Sequence, residues 1–113
     1  MGNLEVRRDL SGVRDVVVAY ALALERGKTG AVYNVCSGRG YTLREVLEAM
    51  IRLTRLKVEA TTEEDRLRPQ DLKVLVGTAQ ALYAHTGWEA ATPFDRTLED
   101  LLAYWRGRQA VFA

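Results

Sequence analysis

The stretch from residue 31 to residue 51 constrains the fold of this chain most strongly. Ala31–Cys36 is a nearly unbroken run of β-prone residues, which is typical of a strand covered on both faces. Thr42 and Glu45 form the S/T-x-x-E pattern of a capping box, so we expect a helix to begin there. The apolar residues that follow at helical spacing predict one buried face: Leu43, Val46, Leu47, Met50 and Ile51. The stretch is therefore predicted to be a strand, a turn and a helix.

The first thirty residues predict another strand and another helix. Apolar and polar residues alternate within Gly2–Leu10, as in a short strand, and Ser11 could cap the helix after it. That helix is expected to end at Gly27. The residues predicted to form its buried face are Val13, Val16, Val17, Tyr20 and Leu24.

The second half of the chain is interpreted in the same way. A short strand is predicted at Val58–Thr61, and a short helix between a capping Thr78 and Gly87; Val74–Val76 is brief and apolar. Trp88 is expected to pack near the turn, and a last helix to follow Pro93 with an apolar face: Phe94, Leu98, Leu101, Leu102 and Trp105. Because strands alternate with helices, the predicted class is α/β, as a small helix-rich subdomain with short strands spanning residues 1–113.

Composition excludes several classes of function. The 113 residues carry a net charge of +1, far from the basic excess of a nucleic-acid-binding protein. There is no long apolar run, so neither a membrane span nor a signal peptide is predicted. The single Cys36 rules out a disulfide framework, and no metal site is predicted; His85 is interpreted as an ordinary polar position on a short helix. We expect a cytoplasmic protein.

One hexapeptide, Arg66-Leu67-Arg68-Pro69-Gln70-Asp71, has the composition of a ligand clamp. Pro69 restricts the residue before it to extended geometry, so Arg68 should leave the chain at a defined angle. A guanidinium can grip phosphate oxygens in a bidentate manner, and the carboxylate of Asp71 can accept hydrogen bonds from ribose hydroxyls. The hexapeptide therefore indicates a nucleotide site. The alternative is a surface loop whose charges pair with each other.

The glycine-rich turn at Ser37–Gly40 could suggest a phosphate loop, because such loops also join a strand to a helix. The sequence has no GxGxxG pattern and no Walker lysine here. We therefore interpret the turn as a tight strand-to-helix connection.

Three runs together resemble the C-terminal, substrate-binding part of extended short-chain dehydrogenases/reductases that act on nucleotide sugars. They are GNLEVRRDLSGVRDVVVAY, YNVCSGRGYTLREVL and the long run from Arg66 through TGW to YWR. The combination is most similar to GDP-mannose 4,6-dehydratases and GDP-4-keto-6-deoxymannose reductases. The resemblance implies that Arg8 and Arg68 contact the diphosphate of GDP, that Asp71 contacts the ribose, and that Asn3 contacts the ligand from the first strand.

The resemblance also implies what this chain does not carry. In such enzymes the dinucleotide fingerprint and the YxxxK pair lie in an N-terminal half, and neither pattern occurs in these 113 residues. NADP is implied only for a full-length enzyme, either a dehydratase or a reductase, and the chain alone should hold no catalytic or cofactor-binding residue. Gly12 and Cys36 depart from the family pattern, replacing a common Asp and a common Gly.

Two hypotheses follow for the chain as it stands. In the first it is a substrate-binding fragment, inactive alone, whose partners are a GDP-sugar and the missing dinucleotide-binding half. In the second it is a stand-alone interaction or oligomerisation module that retains the fold without the chemistry. If the chain is such a fragment, apolar surface that the missing half would have covered should favour a homo-oligomer.

Overall fold

The computed structural model describes residues 2–68 and 72–112, with side chains as far as residue 108. The described elements confirm a small α/β structure with short strands. In chain order they are β1 (Arg7–Asp9), α1 (Val13–Arg26), β2 (Gly40–Thr42), α2 (Leu43–Thr54), a 3-10 turn (Glu64–Arg66), β3 (Val74–Leu75), α3 (Gln80–Thr86) and α4 (Phe94–Phe112).

The described strands form one small sheet in the order β2-β1-β3. β1 runs antiparallel to β2, with Arg8 opposite Tyr41, and parallel to β3, with Arg8 opposite Leu75. Since β1 lies in the middle, the start of the chain is held directly beside the segment that follows the Arg68 loop.

The predicted capping box at the start of α2 is confirmed. Thr42 Oγ1 accepts a hydrogen bond from the backbone N–H of Glu45 at 3.0 Å, and Glu45 Oε2 accepts one from the backbone N–H of Thr42 at 3.1 Å. Thr42 is also the last residue of β2. The chain therefore passes from strand to helix with no intervening loop, because the cap satisfies the amides at the junction.

The core lies between α1, α3 and Trp88, which follows the glycine that caps α3. Ala19, Leu82 and Trp88 are buried together, and partly buried apolar side chains surround them: Leu22, Ala23, Tyr33, Val35 and Ala79. Trp88 packs near the turn, as predicted, and its indole N–H donates to the carbonyl oxygen of Asp15 at 2.9 Å. Gly87 ends α3 in the left-handed conformation, with φ of 78°, which favours glycine.

The buried carboxylate of Asp15 fastens α1 to the start of the last helix. It accepts hydrogen bonds from the backbone N–H of Thr92 at 3.1 Å and from the Thr92 hydroxyl at 2.8 Å. The N-terminal end of α1 therefore has a polar contact with the turn before α4.

The face predicted to be buried on α1 is wrong. Val13, Val17, Tyr20 and Leu24 are exposed, whereas Val16, from the same predicted face, is half-buried, and the side of the helix that carries Ala19 faces the core. Apolar residues occur around most of the circumference of α1, so their period did not select one side. Packing selected it, because the small side chain of Ala19 lets Leu82 and Trp88 approach the helix. The predicted Ser11 cap is also wrong, since Gly12 is at the N-cap position and no side chain caps the helix there.

Two predicted strands do not form within the described residues. Ala31–Cys36 and Val58–Thr61 have no strand assignment, and no backbone hydrogen bond joins residues 32–36 to a described strand. The prediction that the first of these is covered on both sides is wrong: Tyr33 and Val35 pack on the core, whereas Val32 is 90% exposed. β-propensity gives a strand only where backbone hydrogen bonds to a neighbouring strand form, and none joins residues 32–36 to a described strand.

The last helix is present where it was predicted, directly after Pro93, but its predicted face is only partly buried. Leu98 is buried, whereas Leu101 and Trp105 are about half exposed. Phe94 stacks on Tyr41 with ring centroids 4.0 Å apart, which holds the start of α4 against β2.

Candidate functional site

The start of the chain and the Arg68 loop, both predicted to contact a nucleotide, lie side by side. The backbone N–H of Arg7 donates to the carbonyl oxygen of Lys73 at 2.7 Å. A side chain at Gly2 would place its Cβ only 3.0 Å from the carbonyl oxygen of Arg66, so glycine permits this close approach. These contacts bring Asn3 and Arg8 beside the loop that carries Arg68.

Arg8 is held in a defined position by backbone oxygens. Its Nη1 donates to the carbonyl of Leu72 at 2.8 Å and to the carbonyl of Arg7 at 3.0 Å. The first of these bonds reaches the segment directly after the predicted clamp. The Arg8 guanidinium therefore lies beside Leu72, the first described residue after the predicted clamp.

Asn3 precedes β1 and is not part of it, which corrects the prediction that it belongs to the first strand. Its Oδ1 accepts a hydrogen bond from the backbone N–H of Glu5 at 2.9 Å, forming a local turn. The side-chain NH2 group makes no hydrogen bond to any described residue, and an amide NH2 offers two donors. The turn thus fixes the Asn3 oxygen and leaves its donors available.

The clamp hexapeptide is described only in part. Arg66 ends the 3-10 turn and pairs with Glu63, with Nε and Oε2 2.7 Å apart, so its charge is already balanced within the turn. Arg68 is exposed and has no ion pair among the described residues. Pro69, Gln70 and Asp71 lie outside the described residues, so the position of the predicted ribose-binding carboxylate stays a prediction.

The structure shows an ion pair between Arg44 and Glu5 that was not predicted from the sequence. The guanidinium of Arg44 pairs with Glu5, Nε to Oε1 at 2.6 Å, and its backbone N–H donates to the carbonyl of Leu4 at 2.9 Å. The sequence did contain one indication of this pair. Arg44 lies in the first turn of α2, where the helix dipole disfavours a cation, so a carboxylate from outside the helix is expected to pair with it. The partner is 39 residues away in sequence, so only the fold reveals it.

The carboxylate of Asp9 accepts hydrogen bonds from backbone amides of the glycine-rich turn. Its Oδ1 accepts from the backbone N–H and hydroxyl of Ser37 at 2.8 and 2.7 Å, and its Oδ2 accepts from the N–H of Gly38 at 2.9 Å. Partial burial would raise the pKa of Asp9, but the hydrogen bonds from Ser37, Gly38 and Gly77 outweigh it and lower the pKa below its ordinary value. A carboxylate there would repel a phosphate. The contact therefore supports the interpretation of this turn as a structural connection.

Cys36 lies beside this turn and is not activated. Burial and the nearby negative charge of Asp9 raise the pKa of the thiol. Since the thiolate is the reactive form, the raised pKa disfavours that form.

His85 has a specific partner, so it is more than the ordinary polar position predicted. Its Nδ1 contacts the hydroxyl of Tyr33, which also accepts a hydrogen bond from the backbone N–H of Lys28 at 2.9 Å. Which of the two groups donates in the Tyr33–His85 hydrogen bond depends on the tautomer of His85. The contact joins α3 to the loop after α1. No set of side chains suited to a metal ion occurs in the described part of the chain.

An open groove of about 460 Å³ lies beside Arg8. Three segments line it, the end of β1, residues 33–36 and the end of β3 with the residues after it: Arg8, Asp9, Tyr33, Asn34, Val35, Cys36, Leu75, Val76 and Gly77. Asn3 and Arg68 do not line this groove, so only one of the predicted ligand contacts does. Over the described ranges, helices are too short or too polar to cross a bilayer.

Known proteins share both the sequence and the fold of this chain. GDP-6-deoxy-D-mannose reductase from Pseudomonas aeruginosa is 32% identical over 108 residues, which cover 96% of this chain and 36% of the reductase. The structure of RMD from Pseudomonas aeruginosa complexed with NADPH superposes with a TM-score of 0.89 at 31% identity, over 96% of this chain and 35% of that one. UDP-glucose 4-epimerase from Thermotoga maritima with UDP-glucose gives 0.87 at 27% identity, over 96% and 34%.

The chain thus spans about a third of the length of the relatives it matches, as expected for the C-terminal part of such an enzyme. The family model described as GDP-mannose 4,6 dehydratase matches residues 1–101, which is most of the sequence. On this evidence the chain belongs to the GDP-mannose 4,6 dehydratase family.

Proposed function

We propose that residues 1–113 form the substrate-binding part of an NADP-dependent nucleotide-sugar dehydratase or reductase and bind the GDP moiety of the sugar. The observation that supports this most is the bond from Arg8 Nη1 to the carbonyl of Leu72. It holds one guanidinium beside the loop that carries a second, at Arg68. Two cations on neighbouring segments suit a diphosphate, whose oxygens are negatively charged near neutral pH.

Each predicted contact has a separate chemical role in this proposal. Arg8 and Arg68 bind the diphosphate oxygens, and the NH2 group of Asn3 donates to the ligand. Asp71 accepts hydrogen bonds from the ribose hydroxyls. Arg8 is already positioned by backbone carbonyls, so it loses little conformational freedom when it binds.

The redox chemistry would belong to a part of the enzyme beyond these 113 residues. The relative from Pseudomonas aeruginosa is complexed with NADPH, which supports NADP as the cofactor of a complete enzyme. No Tyr in this chain is followed four residues later by Lys. The chain by itself would then be inactive, and a dehydratase and a reductase are both compatible with the residues present. A cytoplasmic location is part of the same proposal.

Calorimetric titration of the 113-residue chain with GDP tests the binding. We expect weak binding, which Arg8→Ala and Arg68→Ala should each reduce by about 10- to 150-fold, equivalent to about 1.5 to 3 kcal/mol for one charge-assisted contact. Arg106→Ala is the matched control, because Arg106 is exposed on α4 and distant in sequence from the clamp. Absence of heat with millimolar GDP, or equal weakening by all three variants, would contradict the proposal.

The alternative is a stand-alone interaction or oligomerisation module, and the exposed apolar face of α1 favours it. Gene context separates the two possibilities. An in-frame dinucleotide-binding motif upstream of residue 1 would favour the enzyme fragment, whereas an isolated reading frame with no GDP affinity would favour the module.

A further inference from the structure

A second pocket, of about 320 Å³, adjoins Arg8 on the sheet. Tyr41 lines this pocket and lies directly opposite Arg8 in the β1–β2 pair, so the two side chains leave the sheet on the same face. Leu10, two residues after Arg8, lines it as well. We call it the Tyr41 pocket. Its volume is within the range of roughly 300 to 1,000 Å³ that is usual for small-ligand sites.

Arg39 gives the Tyr41 pocket a cation. Its side chain lines the pocket, is exposed, and forms no hydrogen bond or ion pair with the described residues. Its backbone is held, because the N–H of Arg39 donates to the hydroxyl oxygen of Ser37 at 3.2 Å. The Ser37 hydroxyl in turn donates to Asp9 Oδ1 at 2.7 Å. The base of the Arg39 side chain is therefore tied to β1, while its guanidinium can donate to a ligand.

Asp15 gives the same pocket acceptors. Its buried carboxylate lines the pocket and accepts two hydrogen bonds, both from Thr92. A carboxylate has about four acceptor positions, so others remain for a ligand. The negative charge of Asp15 would repel a phosphate in the pocket. A neutral group with both donors and acceptors suits the pocket better.

Two aromatic rings form a planar part of the pocket wall. Tyr41 and Phe94 both line it and stack with their centroids 4.0 Å apart and their planes 15° from parallel. Aromatic side chains of this kind are the surfaces on which nucleobases pack. The wall therefore favours a flat, neutral ligand group.

Guanine has the hydrogen-bonding groups that match this pocket. Its O6 and N7 are two acceptors on one edge, which the forked guanidinium of an arginine can contact together. Its N1–H and 2-amino groups are donors on another edge, suited to a carboxylate. Adenine has an amino group in place of O6, so it would direct a donor at the donors of Arg39.

From these observations we propose that Arg39 recognises the guanine base of the nucleotide whose diphosphate contacts Arg8 and Arg68. Asp15 accepts from the N–H groups on the other edge of the base. The inference rests on the proposed binding of GDP, and it adds the side chain that selects guanine over other bases.

Calorimetric titration of the 113-residue chain with GDP, IDP and ADP provides the test. IDP keeps O6 and N7 and lacks only the 2-amino group. We expect the wild type to bind GDP and IDP more tightly than ADP. Arg39→Ala should weaken GDP and IDP binding by about 5- to 150-fold and leave the Kd of ADP unchanged. Arg52→Ala, at an exposed position near the far end of α2, is the matched control and should change none of the three Kd values. Circular dichroism should show wild-type helix content in both variants.

The outcomes separate this inference from the function on which it rests. Equal weakening of GDP and ADP by Arg39→Ala would mean that Arg39 contacts phosphate, and it would overturn the recognition of the base. If Arg8→Ala weakens GDP binding and Arg39→Ala does not, the proposed function stands and only this inference fails. Absence of binding of all three nucleotides to the wild type would overturn both.

Discussion

The carboxylate of Asp9 accepts two hydrogen bonds from Ser37, from the hydroxyl at 2.7 Å and from the backbone N–H at 2.8 Å. Asp9 is the last residue of β1, and Ser37 begins the turn that leads to β2. Oδ2 adds bonds from the N–H groups of Gly38 and, at 3.4 Å, Gly77. One side chain therefore connects the end of the central strand to the segments before β2 and after β3.

This contact predicts how stability depends on pH. The pKa of Asp9 is lower in the folded chain than its ordinary value of 3.8, because the hydrogen bonds from Ser37, Gly38 and Gly77 favour the charged form. The stabilisation is fully present above the unfolded pKa and is lost as pH falls through the folded one. We expect Asp9→Asn to lower the free energy of unfolding at pH 7 by about 1 to 3 kcal/mol, since its NH2 cannot accept from these donors.

Urea unfolding at pH 7 and in steps below pH 4 measures the effect. The difference in stability between wild type and Asp9→Asn should shrink over the acidic steps. Glu48→Gln, at an exposed position of α2, serves as the control and should leave the pH profile unchanged. A constant difference at every pH would show that the charge of Asp9 contributes nothing.

Asp15 should be more sensitive to substitution than its position on a helix suggests. Asp15→Ala removes both hydrogen bonds to Thr92 and leaves the N–H and hydroxyl of that residue without their acceptor. We expect thermal or urea unfolding to show a loss of about 2 to 4 kcal/mol. A double-mutant cycle with Thr92→Ala isolates the hydroxyl contact, and strictly additive effects would mean that the two side chains do not interact in solution.

The orientation of α1 can be tested by enlarging its buried alanine. Ala19 is fully buried against Leu82 and Trp88, so Ala19→Leu should destabilise the chain by about 1 to 3 kcal/mol through overpacking. The same substitution at Ala103, an exposed position of α4, should change the free energy of unfolding by less than about 0.5 kcal/mol. If Ala19→Leu were neutral, the helix would have to face the core with another side.

The chain should show no turnover by itself. Purified protein supplied with NADP and GDP-mannose is expected to give no 4-keto product and no cofactor reduction, because the Tyr and Lys that transfer the proton are absent from its 113 residues. A chromatographic assay for the keto sugar, compared with a mock preparation, measures this. Product above the mock level would show that other residues of this chain can serve as the acid and base.

Local signals in the sequence were sufficient for much of the fold. The capping box joins Thr42 and Glu45, only three residues apart, so its geometry is determined by the segment that contains it. The end of α3 at the left-handed Gly87 and the start of α4 after Pro93 are likewise determined by residues next to them in the sequence. The motifs around Asn3, Arg8 and Arg68 likewise identified the family, because they are short runs that can be compared directly.

Features that depend on contacts between residues far apart in the sequence were decided by the tertiary structure. Which face of α1 is buried was set by Leu82 and Trp88, more than 60 residues away, since the helix itself offers apolar side chains in most directions. Ala31–Cys36 has the composition of a strand, but a strand requires backbone hydrogen bonds to a neighbour, and none joins residues 32–36 to a described strand. The Asp9–Ser37 and Glu5–Arg44 contacts span 28 and 39 residues. The sequence by itself determined the helix ends and the family motifs, whereas long-range packing and hydrogen bonding determined which side chains those elements bring together.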